Sequence, residues 1–408
     1  MHEDDRHAPI PSFSEMRSNT NCPFCRLVLR AREITYKDWV PPKKFKDDQL
    51  VVSWFASKDG KPAPIRGDND DIELFRRAMR RDFEFRITVA WAGHLAIDTP
   101  MKIMANARDV GNEWKYRTGV RLDRARIDIG VFRRWLEYCE KAHVDCSDGR
   151  PFRGLEKEKM FRVIDVETRK VVPAPAMCRY VTLSYVWGQG NIVKALEQNF
   201  RETVSNDSRI RTLDLSRTIL PKTISDAIFV TKLLNERYLW VDSLCIVQDD
   251  VEDLANNISH MDDIYRCSRI TIVGAAGDAQ TGLPGLFQDS RDVHQVRERV
   301  NGIELMAPLP SLEERLRSSQ WRTRAWTFQE EMLSRRRIVF VDGFAYFSCV
   351  EDCWSEDIFE GNDPKQHKKR WNQILGDSVS FLMSNCSSID ADELLRNTYK
   401  ARSKVLMA

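Results

Sequence analysis

The sequence predicts a mixed α/β domain with a mostly parallel sheet flanked by helices, preceded by an N-terminal α+β subdomain. Three observations lead to this prediction. Short apolar runs alternate with helix-period segments from Phe161 onward, a pattern typical of parallel β-α units. Tyr238 to Val241 is apolar on both faces, as expected of a buried strand. Before Pro151, one long stretch instead alternates with a period of two, which indicates a strand with one buried face.

The domain organisation follows from these changes of pattern. Residues 1–20 are polar and are expected to be disordered. Residues 21–150 form the predicted subdomain, which is rich in Cys and Trp, with a strand up to Trp91 and a helix over Val131–His143. The α/β domain is expected over residues 157–350, and residues 351–408 form a charged, helical or irregular tail.

Composition excludes several classes of function. The 63 Lys and Arg residues nearly balance 61 Asp and Glu residues, so net charge gives no attraction to nucleic acid. No apolar run approaches the roughly 20 residues that span a bilayer. The N-terminus lacks the basic and apolar regions of a secretion signal. We therefore expect a cytoplasmic protein whose ten cysteines are mostly reduced.

Polar residues follow several predicted strands, which is where open α/β sheets bind ligands. Asp242 and Ser243 end the strand that begins at Tyr238, and Ser184 to Gly188 end another. The alternative is structural: Asp242 caps a turn, Trp187 packs, and Gly188 supplies a positive φ. Both interpretations remain open from the residues alone.

Three Trp-containing blocks occur in a fixed order. They are Arg179-Tyr-Val-Thr-Leu-Ser-Tyr-Val-Trp-Gly188, the stretch Arg237–Asp250, and Trp321-Arg-Thr-Arg-Ala-Trp-Thr-Phe-Gln-Glu330. Together they resemble the heterokaryon incompatibility (HET) domain of filamentous fungi, over residues 178 to 350. The resemblance implies a fungal protein that triggers programmed cell death after non-self recognition. It also implies self-association and a further incompatibility or signalling protein as partner.

HET domains have been proposed as distant relatives of TIR domains, some of which cleave NAD, so the resemblance implies a TIR-like or flavodoxin-like sheet. NAD-cleaving TIR domains place a Trp four residues before their catalytic Glu, and Trp326 and Glu330 have that spacing. Glu330 is thus the candidate catalytic residue of an NAD glycohydrolase. The residues expected to contact NAD are Ser184, Tyr185, Trp187, Gly188, Asp242, Ser243, Arg324 and Trp326.

The alternatives to this enzyme are a non-enzymatic interaction module and a degenerate paralogue. In either case Glu330 would be a helix acid paired with Arg322 or Arg324, and Trp326 a core residue. The sequence does not decide between them.

The cysteines suggest a structural zinc site. Cys22 and Cys25 form a Cys-x-x-Cys pair, and Cys139, His143 and Cys146 form a second cluster. Cys139 and His143 are one helical turn apart, so both could face one ion. These five residues offer one ligand more than tetrahedral zinc needs. The alternative is a set of buried, reduced cysteines without metal.

Overall fold

A computed structural model of the chain describes residues 7–10, 13–35, 50–55, 86–91, 101–105, 118–144, 146, 161–189, 192–205, 208–300 and 302–359. They belong to a unit that spans residues 1–362. The predictions for the tail beyond residue 359 lie outside the described residues. Within the described part, no helix has the length and apolarity required to cross a bilayer.

The N-terminal elements are short. In chain order they are β1 (His7–Ile10), α1 (Phe13–Ser18), α2 (Pro23–Thr35), β2 (Leu50–Phe55), β3 (Arg86–Trp91), β4 (Met101–Ala105), β5 (Thr118–Gly119) and α3 (Gly130–Ala142). The sequence predicts disorder up to residue 20, yet β1 and α1 lie there. Phe13 and Met16 are almost fully buried, and this burial gives α1 an apolar face to pack.

The next segment carries most of the strand-helix alternation. It contains β6 (Arg162–Asp165), β7 (Lys170–Pro173), β8 (Tyr180–Val186), β9 (Arg201–Ser205), β10 (Ser208–Asp214), α4 (Lys222–Leu233), β11 (Tyr238–Trp240), α5 (Asp242–Cys245), α6 (Val251–Ser259), α7 (Met261–Cys267) and β12 (Ile270–Asp278). Asp250 caps α6 by accepting from the backbone N–H groups of Glu252 and Asp253.

The last segment completes both larger sheets. It contains β13 (Arg297–Val300), β14 (Ile303–Met306), α8 (Leu312–Arg317), a 3-10 turn (Gln320–Thr323), α9 (Ala325–Leu333), β15 (Arg336–Val341), β16 (Phe344–Cys349), β17 (Cys353–Ser355) and β18 (Ile358–Phe359). β18 pairs with β5 in a separate two-stranded sheet.

Ten of the described strands form the main sheet, in the order β17-β16-β15-β12-β8-β11-β6-β7-β10-β9. Its centre, β15-β12-β8-β11, is parallel, as the sequence predicts. The flanking pairs among the described strands are antiparallel. The prediction of a mostly parallel sheet is therefore wrong for the flanks, and the fold is a mixed α/β sheet.

Tight turns explain two of the antiparallel pairs. β15 and β16 are joined by Asp342 and Gly343, which both have positive φ, and Asp-Gly between apolar strands is a strong hairpin signal. β6 and β7 are joined by a turn that contains Arg169 at φ 55°. Connections this short cannot return to the same end of the sheet, so the strands they join run in opposite directions.

A second sheet joins distant parts of the chain. Six described strands, in the order β1-β2-β3-β4-β14-β13, pair antiparallel. Four come from the N-terminal segment and two from the hairpin at residues 297–306. Arg26 on α2 adds an ion pair of 3.0 Å to Glu298 on β13. The N-terminal segment and the later chain therefore share backbone hydrogen bonds.

The core lies on both sides of the central strands. Every residue of β8 is buried, and Leu239 and Trp240 of β11 are completely buried. Burial on both faces explains why Tyr238 to Val241 forms a continuous apolar run rather than an alternating one. α3 packs on the outer part of the sheet, where Phe132 makes an edge contact with Phe340 at 5.4 Å.

Candidate functional site

The carboxyl ends of β8 and its two neighbours form the candidate site. After β8 the chain continues to β11, which lies on one side of β8 in the sheet. After β12, which lies on the other side of β8, the chain continues to β15, farther from β8. Adjacent parallel strands whose connections diverge in this way form a topological switch point, and open α/β sheets bind ligands there. In register, Val273 of β12 lies beside Ser184 of β8.

Glu330 reaches this edge from α9. Ser184 donates its hydroxyl to Glu330 Oε2, and the indole N–H of Trp321 donates to Ser184 Oγ at 2.7 Å. All three side chains are buried, and the exposed fraction of Glu330 is 5%. The chain Trp321–Ser184–Glu330 fixes one carboxyl oxygen at the end of the central strand.

A ladder of buried hydroxyls anchors the other end of α9 on the sheet. Thr182 and Thr271 place their hydroxyl oxygens 2.8 Å apart across β8 and β12, and Thr271 lies 2.7 Å from Ser334 Oγ. Ser334 in turn donates to the backbone carbonyl of Glu330 at 2.6 Å. These bonds satisfy polar groups that would otherwise be costly to bury, and they define where Glu330 lies.

Asp242 provides a second carboxyl, at the end of β11. It accepts from the indole N–H of Trp187 at 2.9 Å and from the backbone N–H of Ser243 at 2.7 Å. The hydroxyls of Tyr185 and Ser243 lie 3.0 Å apart. Asp242 and Trp187 are half-buried, so this half of the site is the more accessible one. Lys194 lies 5.4 Å from the centre of the Trp187 ring.

Burial perturbs both carboxyls. Desolvation is the main cause that raises the pKa of Glu330 to about 7, and the negative charge of Asp242 acts in the same direction. The hydrogen bond from Ser184 lowers this pKa and partly offsets both effects. Desolvation also raises the pKa of Asp242 to about 6, because its oxygens are enclosed although the residue keeps some exposure. The charge of Arg324 lowers the pKa of both groups. Both carboxyls therefore keep their protons to a higher pH than exposed acids do.

Two further predicted residues complete the edge. Gly188 has φ +80°, and a Cβ there would lie 2.6 Å from Asp278 Oδ2, so glycine is required by both backbone and space. Arg324, at the start of α9, donates to the backbone carbonyl of Tyr185. Trp326 belongs to α9, but its side chain lies outside the described residues.

The structure thus brings together seven of the predicted residues around Glu330. They are Ser184, Tyr185, Trp187, Gly188, Asp242, Ser243 and Arg324. The alternative pairing of Glu330 with Arg322 is not found, because Arg322 donates to Glu313 at 2.7 Å. The sequence-based hypothesis missed Trp321, although this residue opens the block that contains Glu330. Its only signal is a tryptophan next to a candidate acid.

The candidate site lies within a region that matches a known family. Residues 180–330 match the family model described as heterokaryon incompatibility protein (HET). The chain carries a HET domain. The match begins at β8 and ends at Glu330, so it contains the central strands β8, β11 and β12 and the residues of the candidate site. Searches of curated proteins and of solved structures gave no match.

A second cluster lies outside the matched residues of the HET domain. Cys139, His143, Cys146 and Cys349 are buried, and their ligand atoms all lie within 4.8 Å of one another. Such a Cys₃His set could bind a metal such as zinc. Cys349 ends β16 and was not among the expected ligands. Its only signal in the sequence is a cysteine at the end of a predicted strand.

Cys22 and Cys25 are not part of this cluster. The structure pairs them with each other as a disulfide at the start of α2. Of the five residues expected to bind zinc, the structure therefore brings together Cys139, His143 and Cys146 and adds Cys349. The spacing of the cysteines in the sequence does not show which sulfur atoms meet in the fold. It therefore predicts neither the disulfide nor whether the remaining cysteines bind metal.

Hydrogen bonds within this cluster shift the pKa values of its members in opposite directions. Hydrogen bonds with Cys139 and Cys349 hold the pKa of Cys146 far below its usual range, whereas bonds with Cys139 and Cys146 raise the pKa of Cys349. Burial opposes protonation of His143, but hydrogen bonds with the thiols raise its pKa to about 10.

Proposed function

We propose that this HET-domain protein acts in fungal heterokaryon incompatibility and signals programmed cell death from the cytoplasm, by cleaving NAD. In this proposal Glu330 is the key carboxylate, and self-association with a further signalling protein activates the domain. The observation that supports it is the position of Glu330 at the switch point of the sheet, bonded to Ser184 and close enough to Asp242 for charge coupling.

The reaction suits such a site. Water and NAD give nicotinamide, ADP-ribose and one proton. Nicotinamide leaves with the electron pair of its bond to ribose and becomes neutral, so no general acid is needed. A carboxylate beside the ribose stabilises the oxocarbenium-like transition state, as in glycoside hydrolysis. Ser184 would keep the carboxylate of Glu330 oriented, since it donates to one of its oxygens.

The accessible half of the site suits the rest of the substrate. The half-buried Trp187 offers an aromatic face for a nicotinamide or adenine ring. Its indole N–H is already bonded to Asp242, which holds the ring in place. Arg324 supplies positive charge next to both carboxyls and would favour the pyrophosphate.

A non-enzymatic interaction module is the second candidate, and one observation favours it. Glu330 is only 5% exposed, so its bonds with Ser184 and the hydroxyl ladder could serve stability alone. Under this alternative the domain transmits its assembly to another effector, or it is a degenerate paralogue. The two candidates differ in whether substrate reaches Glu330.

Nicotinamide release from NAD separates these candidates. The full-length chain is assayed at rising protein concentration, beside Glu330→Gln and the control Glu331→Gln. Glu331 is the adjacent acid on α9 and pairs with Arg337 at 3.1 Å. The enzyme proposal expects release that Glu330→Gln abolishes and Glu331→Gln retains. Absence of release at every concentration, or equal release by Glu330→Gln, would rule it out.

A further inference from the structure

We propose that Cys139, His143, Cys146 and Cys349 bind one structural zinc ion, and that this ion fastens the end of α3 to the end of β16. The two parts of the site are about 200 residues apart in sequence, and neither lies within the HET match of residues 180–330. The proposal is independent of the proposed NAD cleavage, because the cluster shares no residue with that site.

The geometry is close to that of a zinc site. Bond lengths of about 2.3 Å to sulfur and 2.0–2.1 Å to nitrogen place tetrahedral ligands about 3.6–3.8 Å apart. The four ligand atoms already lie within 4.8 Å of one another, and His143 Nδ1 is 3.3 Å from Cys349 Sγ. Side-chain shifts of about 1 Å would complete a tetrahedron around an ion.

Local structure explains why three of the ligands converge. Cys139 lies in the last turn of α3, and His143 ends that helix by donating its backbone N–H to the Cys139 carbonyl at 3.0 Å. The two side chains are thus stacked on one face of the helix end. Cys146 follows His143 three positions later in the sequence. Cys349 then approaches from β16, so ligands come from two separate elements.

The surroundings match the charge of the proposed complex. Three thiolates and a neutral imidazole around Zn²⁺ carry one net negative charge. The buried guanidinium of Arg336 donates from Nε to Cys139 Sγ at 3.2 Å and from Nη2 to the Cys146 carbonyl. The backbone N–H of Asp352 donates to Cys349 Sγ at 3.2 Å. Such outer donors stabilise zinc-bound thiolates.

The cluster is closed to solvent. Each of the four residues is at most 5% exposed, and Trp354 and Tyr138 enclose the imidazole at 5.6 and 6.0 Å between ring centres. A site with four protein ligands has no open position for water or substrate. Its role is therefore structural: the ion would hold α3 against the antiparallel flank of the main sheet.

Metal analysis of the full-length chain tests the proposal. Protein expressed with zinc is expected to retain a single ion per chain, and X-ray absorption should show three sulfurs and one nitrogen at bond lengths near 2.3 and 2.0 Å. Cys349→Ser should lower the zinc content at least about tenfold. Cys22→Ser and the control Cys267→Ser should retain it.

Cobalt(II) substitution provides a measurement on the unaltered chain, in case Cys349→Ser does not fold. The proposal expects the absorption of tetrahedral, thiolate-bound Co²⁺, which zinc then displaces. Zinc-free protein without a cobalt spectrum would overturn it, as would a disulfide among Cys139, Cys146 and Cys349. Zinc that survives Cys349→Ser but is lost in Cys22→Ser would place the site elsewhere and would also overturn it.

Discussion

Glu330 illustrates what a single buried acid does to this fold. Its proton is held more tightly than that of an exposed glutamate because little water reaches the carboxyl, while Ser184 and Arg324 partly offset that cost. A carboxyl with these properties either prepares chemistry near neutral pH or lowers stability when it ionises. Both consequences can be measured on one variant.

Replacement of Glu330 should change how stability depends on pH. The folded pKa of about 7 exceeds the ordinary value of 4.5, so the folded state binds the proton more tightly. The resulting gain in the free energy of unfolding is complete below pH 4.5. It decreases by about 3 kcal/mol as pH rises from 4.5 through 7. We expect Glu330→Gln to remove that slope in urea denaturation between pH 4.5 and 8.

The matched control for this measurement is Glu331→Gln, which should keep the slope of the unaltered protein. If the two variants respond to pH alike, the carboxyl of Glu330 is not the group responsible. The same titration bears on catalysis. If the ionised form is active, nicotinamide release should rise as pH passes about 7.

At the residue scale, the sequence singles out candidate residues but not the bonds between them. Asp242 is a candidate because it follows a predicted strand, and Glu330 because its spacing from Trp326 resembles that of NAD-cleaving TIR domains. Ser184 and Glu330, which are hydrogen bonded, lie 146 positions apart in the sequence. Ser184 and its other partner, Trp321, lie 137 positions apart. Local periodicity contains no information on such pairs, and for this reason Trp321 was missed.

At the scale of elements, the turn after β8 meets the end of β12. Gly188 and Asp278 touch there, and the register of the two strands shifts between Gly274 and Asp278. The contact brings the loop of the central strand close to its neighbour at the candidate site. Glycine is required at position 188 for two reasons, the positive φ and the lack of space beside Asp278, and these can be measured separately.

Gly188→Ala should destabilise the protein more than Gly302→Ala. Both glycines have φ near +80°, so both alanines bear a left-handed cost of roughly 1–2 kcal/mol. Only at position 188 does the new Cβ also meet Asp278, whereas at Gly302 nothing lies within 4 Å. Thermal unfolding of the two variants measures the difference. Equal losses would show that the contact with Asp278 carries no cost.

The sequence predicts the strands in the centre of the sheet better than those at its flanks. β8 is buried on both faces and β11 is mostly buried, and their largely apolar sequences make them recognisable. β7, β9 and β10 carry charged residues at the sheet's edge, so no apolar run marks them. The Asp342-Gly343 turn is a hairpin signal in the sequence that the prediction of a mostly parallel sheet did not use.

For the whole molecule, the matched region is smaller than the folded sheet. Residues 180–330 exclude β15, which pairs with β12, and β6, which pairs with β11. Both sides of the parallel centre would then be open edges, which favour association with other chains. The ligands of the proposed zinc site are excluded as well.

We expect a protein trimmed to residues 180–330 to aggregate or remain unfolded, whereas residues 1–362 fold. Circular dichroism and gel filtration of the two proteins compare them directly. A monomeric 180–330 fragment that unfolds cooperatively, at the same midpoint as the longer protein, would contradict this expectation.

The relationship of HET domains to TIR domains stays a prediction from resemblance.

The six-stranded sheet has a consequence for how the chain behaves when it is cut. β4 and β14 pair although about 200 residues separate them, and Arg26 bridges to Glu298. A protease that nicks the backbone once after β4 would therefore leave two pieces held together without a covalent link. They should travel as one species through native chromatography and come apart only in denaturant. Expressed separately, the two pieces are candidates for fragment complementation.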